Sequence, residues 1–148
     1  MSTRTESYLV GLVGDGVLPS LTPPMHEREG DVQGLRYLYR PIDLREIGLP
    51  AESVGDLLRS ARTLGFNGLN VTHPCKQLVL EHLDEVALDA RRLGAVNTVV
   101  IQDGRFVGHN TDFPASPPLS PPGFRARSWT AWSSSAQVAP GPPSPTPC

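Results

Sequence analysis

The composition of the chain changes abruptly after Phe113, and this change limits how much of it can fold. The 148 residues contain 16 prolines and 15 acidic side chains. The segment from Pro114 onward holds 10 of the prolines and 7 of the serines, but none of the acidic residues. Such a segment cannot easily bury enough apolar surface to offset the entropy lost on ordering. We therefore expect one folded domain over residues 1–113 and a disordered tail over residues 114–148.

Charge, cysteine content and hydrophobic runs exclude several classes of protein. The net charge is −2 and the arginines before the tail are scattered, so no basic stripe predicts a nucleic-acid partner. Two cysteines, Cys75 and Cys148, give no disulfide framework. No apolar run is long enough for a membrane span, and the first run ends too early, at Gly14, for a secretory signal. A cytoplasmic protein without a nucleic-acid or membrane partner is the expectation.

The pattern of apolar residues predicts an α/β domain. Strands are expected at 8–13, 35–44 and 67–74, and a hairpin at 96–110 with Asp103-Gly104 at its turn. Pro41 suggests that the second strand lies at an edge or reaches its end there. Helices are expected between the strands, at about 22–33, at 50–66 and, as one or two helices, at 76–95. The fold class is therefore three layers, with helices flanking a mostly parallel sheet that ends in a hairpin.

Lys76 is the only lysine in a chain that has twelve arginines. It lies in NVTHPCK, just past a predicted strand, where a helix begins. Arginine stays protonated at working pH, whereas lysine can act as a general acid or base. A solvated surface lysine is the simpler interpretation when Lys76 is considered alone. Its neighbour Cys75 is either a reactive thiol of low pKa or, as we prefer, a small buried residue.

Polar residues follow several of the predicted strands. Strand ends at one side of an α/β sheet converge on a crevice, where they can bind a polyhydroxylated ligand. The residues in such positions are Asn70, Thr72, Lys76, Asn97 and Asp112. Ser20 and Thr22 follow the first strand at a helix N-terminus, where hydroxyls and backbone N–H groups can hold a carboxylate. Simple helix capping by Thr22, and a plain turn at Asn110–Asp112, are the alternatives.

Two other patterns do not predict a site. The glycines in GLVGDG are spaced G-x-x-G-x-G and precede a loop with proline, which disagrees with a dinucleotide-binding turn and indicates an ordinary turn. The four histidines lack the spacing of metal ligands, so they are expected to face solvent or bond locally, and no metal site is predicted.

Four motifs, in order and in spacing, resemble the N-terminal substrate-binding domain of the shikimate/quinate dehydrogenase family. They are GLVGDGVLPSLTPPMHE, GFNGLNVTHPCKQ, LGAVNTVV and GHNTD, and the resemblance covers nearly all of residues 8–113. It implies that Lys76 and Asp112 are the catalytic pair. In that pair Lys76 moves the proton of the reacting hydroxyl, and Asp112 orients that hydroxyl and binds substrate.

The resemblance also implies roles for the other polar residues. Ser20 and Thr22 stand where the family binds the substrate carboxylate, helped by Thr72. Asn97 and Asn70 stand where ring hydroxyls are contacted or the loop is positioned. The chain departs from the family at Cys75, where an aromatic residue is usual, and at Thr22, where serine is more common and threonine leans toward quinate.

The implied chemistry needs a cofactor. Oxidation of a ring hydroxyl removes a proton and a hydride, and a nicotinamide cofactor, NADP or NAD, must accept the hydride. In the family this cofactor lies on a separate Rossmann domain after NTD, and its glycine-rich loop has no counterpart in this sequence. The implied function is the substrate-binding half of a dehydrogenase of the shikimate pathway, inactive alone. A non-enzymatic module for shikimate or quinate, or a degraded gene product, is the alternative.

The tail has a different meaning in a shifted reading frame. If one base is lost near the codon for Pro114, WTAWSSSAQVAPGPPSPTPC allows the restored peptide DRVVQLGAGGAGAAVAHAL with G/C-leaning codons. This peptide contains a strand, a glycine-rich turn and a helix. We therefore interpret residues 114–148 as an aberrant, out-of-frame tail in place of the Rossmann domain. Resequencing that finds no open glycine-rich continuation in the lost frame contradicts this interpretation.

Overall fold

The computed structural model describes residues 7–112, which form one six-stranded sheet with helices. The strands are β1 (Ser7–Gly14), β2 (Arg36–Asp43), β3 (Gly68–Val71), β4 (Glu85–Val86), β5 (Thr98–Gln102) and β6 (Arg105–His109). The helices are α1 (Thr22–Val32), α2 (Leu44–Ile47), α3 (Val54–Thr63), α4 (Cys75–Leu78) and α5 (Leu88–Leu93), with 3₁₀ turns at Ala51–Ser53 and Val79–His82. The predicted α/β class is confirmed. The predictions of disorder and of a shifted frame for residues 114–148 concern a segment outside the described residues.

The order of strands in the sheet is β2-β1-β3-β5-β6-β4. β1 pairs in parallel with β2 and β3, and β4 pairs in parallel with β6, whereas β5 is antiparallel to β3 and β6. Parallel pairs are therefore in the majority, as predicted. β2, the strand that contains Pro41, lies at an edge, where a missing N–H is tolerated. The hairpin of β5 and β6 turns at Asp103 and Gly104, both at positive φ, as an Asp-Gly turn of this kind requires.

Apolar side chains cover both faces of β1. Successive side chains of a strand point to opposite faces. Val10 and Leu12 accordingly pack in a cluster with Tyr39, whereas Val13 joins a larger cluster that includes Leu58 of α3. A strand buried on both faces requires layers on both sides, which agrees with the predicted three-layer arrangement.

Helix α1 covers the exposed edge of β2. His26 stacks on the ring of Tyr39 with 5.0 Å between the ring centroids, and Glu27 Oε1 accepts a hydrogen bond of 2.9 Å from the Tyr39 N–H. A free edge strand is open to pairing with another chain. The Glu27 carboxylate therefore gives one backbone N–H of this edge strand a hydrogen-bond partner.

The segment predicted as one or two helices at 76–95 contains a short strand as well. It is divided into α4, a 3₁₀ turn, β4 and α5. The break is made by Asp84, whose N–H donates to the Phe106 carbonyl at 3.0 Å and whose Oδ2 accepts from the Phe106 N–H at 2.7 Å. A strand of two residues has no period of its own, so this pairing with a distant residue was not visible in the sequence pattern. Across residues 7–112, no helix is long and apolar enough to cross a membrane.

Candidate active site

The seven polar residues predicted to share a site lie in segments that meet one edge of the sheet. β1 and β3 run in parallel with Val13 opposite Val71, so their carboxyl ends meet at this edge. β5 begins at the same edge, with Thr98 opposite Asn70, and β6 ends there, with His109 opposite Thr98. The register therefore brings the loops after β1, β3 and β6, and the residue before β5, to the same side. The seven residues lie in or beside these segments, with Asn70 in β3 itself and Lys76 in α4; they are Ser20, Thr22, Asn70, Thr72, Lys76, Asn97 and Asp112.

Lys76 and Asp112 are in direct contact. The Lys76 Nζ donates a hydrogen bond of 2.8 Å to Asp112 Oδ2. The two side chains are 35% and 46% exposed. An ion pair open to solvent in this way contributes about 0–1 kcal/mol to stability. The contact is therefore of small value to the fold, and its geometry holds an amine and a carboxylate together where a ligand can reach both.

The turn between β3 and α4 fixes the position of Lys76. The Thr72 N–H donates to the Val13 carbonyl at 2.9 Å, and the Lys76 carbonyl accepts from the Val96 N–H at 2.9 Å. The His73-Pro74 peptide bond in this turn is cis. Gly14 lets the turn lie against the end of β1, because a Cβ at this position would collide with the Thr72 methyl group. Thr72 and Lys76 are thus tied to β1 and to the start of β5.

The segment that bears Asp112 is held by Asn97. The Asn97 Nδ2 donates to Thr111 Oγ1 at 2.9 Å, and Asn97 Oδ1 accepts from the Thr111 N–H at 3.1 Å. Asn97 is only 9% exposed. The Asp112 N–H also donates to Asn110 Oδ1 at 3.0 Å, so the predicted turn at Asn110–Asp112 is present. The same residues form the turn and carry the carboxylate that faces Lys76.

Asn70 makes its hydrogen bonds within the domain. Its Oδ1 accepts a hydrogen bond of 2.5 Å from the Tyr39 hydroxyl, and its Nδ2 donates to Thr98 Oγ1 at 3.1 Å and to the Asn97 carbonyl at 3.4 Å. Burial raises the pKa of Tyr39, with a smaller contribution from Tyr37, so its hydroxyl remains a donor. Asn70 therefore connects β2, β3 and β5 just beneath the edge of the site.

Ser20 and Thr22 are bonded to each other at the start of α1. Ser20 Oγ accepts from the Thr22 N–H at 3.2 Å, and the Ser20 hydroxyl donates to Thr22 Oγ1 at 3.1 Å. Thr22 is the first residue of α1, and Leu21 before it makes no side-chain cap. The alternative in which the Thr22 side chain caps the helix is wrong, because Thr22 already lies inside α1 and its own N–H donates to Ser20 Oγ. Both side chains are half-buried beside the helix N-terminus.

Cys75 does not have the environment of a reactive thiol. It is fully buried, and its Sγ lies 3.8 Å from the Ala51 carbonyl oxygen. Burial raises the pKa of the thiol, and the negative charges of Glu52 and Asp15 raise it further. The interpretation as a low-pKa thiol is wrong, and the interpretation as a small buried residue is confirmed.

The structure agrees with the prediction for the GLVGDG segment, and only in part with the prediction for the histidines. GLVGDG ends β1 and passes into the turn that carries Asp15 and Gly16, as expected. His26, by contrast, is buried against Tyr39 and does not face solvent, and burial lowers its pKa. Within residues 7–112, no group of three His, Cys, Asp or Glu side chains could hold a metal ion.

Four residues around the site were not predicted: Tyr39, Asp43, Thr98 and Thr111. Asp43 stands at the end of β2, so the rule that polar residues at strand ends matter would have included it. Thr111 lies inside the NTD motif itself. Tyr39 and Thr98 are interior partners of Asn70, and no sequence pattern indicates such contacts.

Known proteins resemble the described domain closely. Residues 12–99 match the protein family described as "Shikimate dehydrogenase substrate binding domain". The shikimate dehydrogenase (NADP(+)) of Pseudarthrobacter chlorophenolicus is 87% identical over 113 residues, which are 76% of this chain and 39% of that protein. A solved structure of quinate dehydrogenase from Corynebacterium glutamicum in complex with NAD is 53% identical, with a TM-score of 0.64, over 72% of this chain and 38% of that one.

A third comparison concerns a structure with a bound ring. Shikimate 5-dehydrogenase from Thermus thermophilus in complex with shikimate is 38% identical, with a TM-score of 0.64, over 71% of this chain and 38% of that one. The chain spans less than half the length of each of these relatives. The family match nevertheless covers more than half of this chain. The family resemblance is confirmed: this chain belongs to the shikimate dehydrogenase family and carries its substrate-binding domain.

Proposed function

We propose that the described domain binds shikimate, 3-dehydroshikimate or quinate, and that Lys76 and Asp112 are the catalytic pair of a shikimate or quinate dehydrogenase. The observation that carries this proposal is the contact of 2.8 Å between Lys76 Nζ and Asp112 Oδ2. This contact joins the loop after β3 to the loop after β6, at the edge where β1 also ends. The relatives include shikimate and quinate dehydrogenases, which supports the choice of ligand.

The ligand in this proposal has two ends, and different residues hold them. Its carboxylate accepts hydrogen bonds from the hydroxyls of Ser20 and Thr22, beside the N-terminus of α1, with Thr72 nearby. Its ring hydroxyls lie against Lys76 and Asp112, and Asn97 and Asn70 contact them or hold the loop. The half-buried positions of Ser20 and Thr22 support the first of these assignments.

Lys76 and Asp112 can handle the proton of the reaction. In the oxidation, the reacting ring hydroxyl gives its proton to the neutral amine of Lys76; in the reduction, the Lys76 ammonium returns it. Asp112 holds the Lys76 side chain in place through their hydrogen bond and so orients the amine toward the reacting hydroxyl. The charge-assisted hydrogen bond of 2.8 Å keeps the pair aligned, although its exposure to solvent limits its contribution to stability.

The described residues do not fit a dinucleotide cofactor. The loop from β1 to α1 contains Pro19 rather than a glycine-rich turn, and its hydroxyls are bonded at the start of α1. A nicotinamide cofactor supplies the hydride chemistry that no side chain can supply. The relatives are named as dehydrogenases that use NADP(+) or NAD(+). We therefore assign binding without turnover to the chain itself, with the domain at residues 1–113 and an aberrant tail at residues 114–148.

Titration of the full 148-residue chain with shikimate and with quinate tests this proposal. Calorimetry should give saturable binding of at least one of them, and an assay with NAD and with NADP should give no turnover. The matched variants are Lys76→Gln, which should weaken binding, and Gln77→Ala, its exposed neighbour, which should leave it unchanged. Absence of binding to both ligands overturns the proposed function. Turnover with either cofactor overturns the assignment of the tail.

A further inference from the structure

Asp43 is a buried carboxylate that gathers the backbone of the loop after β1. It is 4% exposed. Its Oδ1 accepts from the Gly16 N–H at 3.0 Å and from the Arg45 N–H at 3.1 Å, and its Oδ2 accepts from the Leu18 N–H at 3.1 Å. A buried carboxylate remains ionised only where such donors replace its water. Burial opposes the ionisation of Asp43, but these N–H groups outweigh it and lower the pKa of the carboxyl.

The bonds of this loop continue directly to Ser20 and Thr22. Val17 is 5% exposed, and its carbonyl accepts from the Ser20 N–H at 3.0 Å. Ser20 in turn accepts from the Thr22 N–H. A series of hydrogen bonds of 3.0 to 3.2 Å, linked by the Val17–Leu18 peptide group and by Ser20 itself, therefore runs from the Asp43 carboxylate to the two hydroxyls at the start of α1.

A second set of contacts ties the same carboxylate to the turn that carries Lys76. Asp43 holds the backbone N–H of Arg45, and the Arg45 guanidinium pairs with both oxygens of Asp15, at 2.6 and 2.9 Å. The Asp15 N–H donates to the His73 carbonyl at 3.0 Å. The loop after β1 is thus fixed on one side by Asp43 and on the other by the turn before Lys76.

We propose that Asp43 is a positioning residue that sets the two hydroxyls of Ser20 and Thr22 for the carboxylate of the ligand. This inference rests on the proposed function, because that function supplies the carboxylated ligand. Asp43 lies beneath the loop and acts through it, without touching the ligand. An asparagine at this position has a single acceptor oxygen, and its NH₂ group would face a backbone N–H donor.

The first measurement needs no ligand. Backbone amide exchange is followed by NMR in the full chain for wild type, for Asp43→Asn and for Asp84→Asn. Asp84→Asn is the matched control, because Asp84 also accepts a backbone N–H, from Phe106, but on the β6 side of the sheet. D43N should speed exchange at least tenfold at Gly16, Leu18 and Ser20, with β3 and β5 unchanged, whereas D84N should leave these three amides as in wild type.

The second measurement uses shikimate and quinate. D43N should lower the affinity for the bound ligand at least tenfold, and D84N should stay within twofold of wild type. The double variant D43N with Ser20→Ala should bind no more weakly than the weaker of its two single variants, because both changes remove the same placed hydroxyl. A merely structural role of Asp43 predicts additive losses instead.

The outcomes separate this inference from the proposed function. Unchanged exchange at Ser20 in D43N, unchanged affinity, or additive losses each overturn the positioning role. If wild type binds neither ligand, the proposed function fails, and exchange at Ser20 still decides whether Asp43 orders the loop. Should D43N not fold, Asp43→Glu, which keeps the charge but moves it by one methylene, is subjected to the same two measurements with the same criteria.

Discussion

Two sides of the candidate active site are held by different kinds of bond. On the side of β1, the loop after the strand is held by the charged carboxylate of Asp43, which accepts from the backbone N–H groups of Gly16 and Leu18. On the side of β5 and β6, residues 110–112 are held by the neutral amide of Asn97, which both donates to and accepts from Thr111. We call these the carboxylate-anchored side and the amide-anchored side.

The two anchors differ in the conditions that release them. The carboxylate depends on its ionisation, so acid or removal of the charge releases it while its shape is unchanged. The amide has no charge to lose and depends on the presence of both its donor and its acceptor. A domain built in this way can lose one side of its site while the other remains ordered.

Acid should have the largest effect, because it removes the whole carboxylate anchor. Burial opposes ionisation of Asp43, but the bonded N–H groups of Leu18, Gly16 and Arg45 lower its pKa below the ordinary value. Such a group stabilises the fold above the unfolded pKa of about 3.9, and this contribution disappears as the pH falls through the lower folded value. Amide exchange, corrected for its intrinsic pH dependence, should therefore show loss of protection at Leu18 before Thr111.

The buried His26 and the half-buried His109 provide the background for this acid experiment. Burial lowers the pKa of His26 and of His109, so both favour the neutral form in the fold. The unfolded chain then binds protons more readily, and stability declines as the pH falls below the unfolded value of about 6.5. This decline affects unfolding as a whole. Simultaneous loss of protection at Leu18 and Thr111, or earlier loss at Thr111, contradicts the distinction between the two anchors.

Asn97→Ala should have the next largest effect. It leaves the N–H and hydroxyl of Thr111 without their partner at a site where Asn97 is 9% exposed. Each of the two lost hydrogen bonds contributes about 0.5–1.5 kcal/mol, so the free energy of unfolding in urea should fall by about 1–3 kcal/mol. Gln102→Ala, an exposed change at the far end of β5, the strand that follows Asn97, should stay near zero. Equal losses for the two variants would show that the amide does not anchor this side.

Asp112→Asn should have the smallest effect on stability and a large effect on the response to ligand. The pair with Lys76 is open to solvent, so unfolding in urea should change by less than about 1 kcal/mol. Lys76 is the only lysine, and ¹⁵N-labelled lysine therefore gives a single side-chain signal. Shikimate should move this signal in wild type and not in D112N.

The control for this variant is an ion pair elsewhere. Asp56→Asn breaks an exposed pair with Arg59 on α3 and should leave both the stability and the ligand response almost as in wild type. A ligand response that survives in D112N would exclude Asp112 from the catalytic pair.

The edge of the sheet that carries the candidate site, and the proximity of Lys76 to Asp112 at that edge, could be predicted from the sequence. Buried strands followed by turn residues locate the strand ends, and parallel strands bring those ends together, so residues far apart in the chain could be assigned to one edge. Lys76 and Asp112, 36 positions apart, are an example. The family motifs then gave each of them a role, which the spacing of strands alone does not supply.

The contacts that support the site were not accessible in the same way, although Asp43 itself stands at the end of a strand. Asp43 acts on Gly16 and Leu18, which precede it by 27 and 25 positions, and its side chain bonds to backbone groups that every residue type possesses. Tyr39 reaches Asn70 from a neighbouring region of the sheet for a similar reason. Contacts of this kind depend on the register of the finished sheet, and they leave no period or motif in the chain.

Gly14 lies where the loop after β1 meets the turn before Lys76, and the two segments are closely packed there. The Thr72 methyl group and the His73 carbonyl occupy the space that any side chain at position 14 would need. Even the methyl group of alanine would require the Thr72 side chain or the His73 carbonyl to shift, in the turn that leads to Lys76. We therefore expect position 14 to remain glycine even where the rest of the turn changes in sequence.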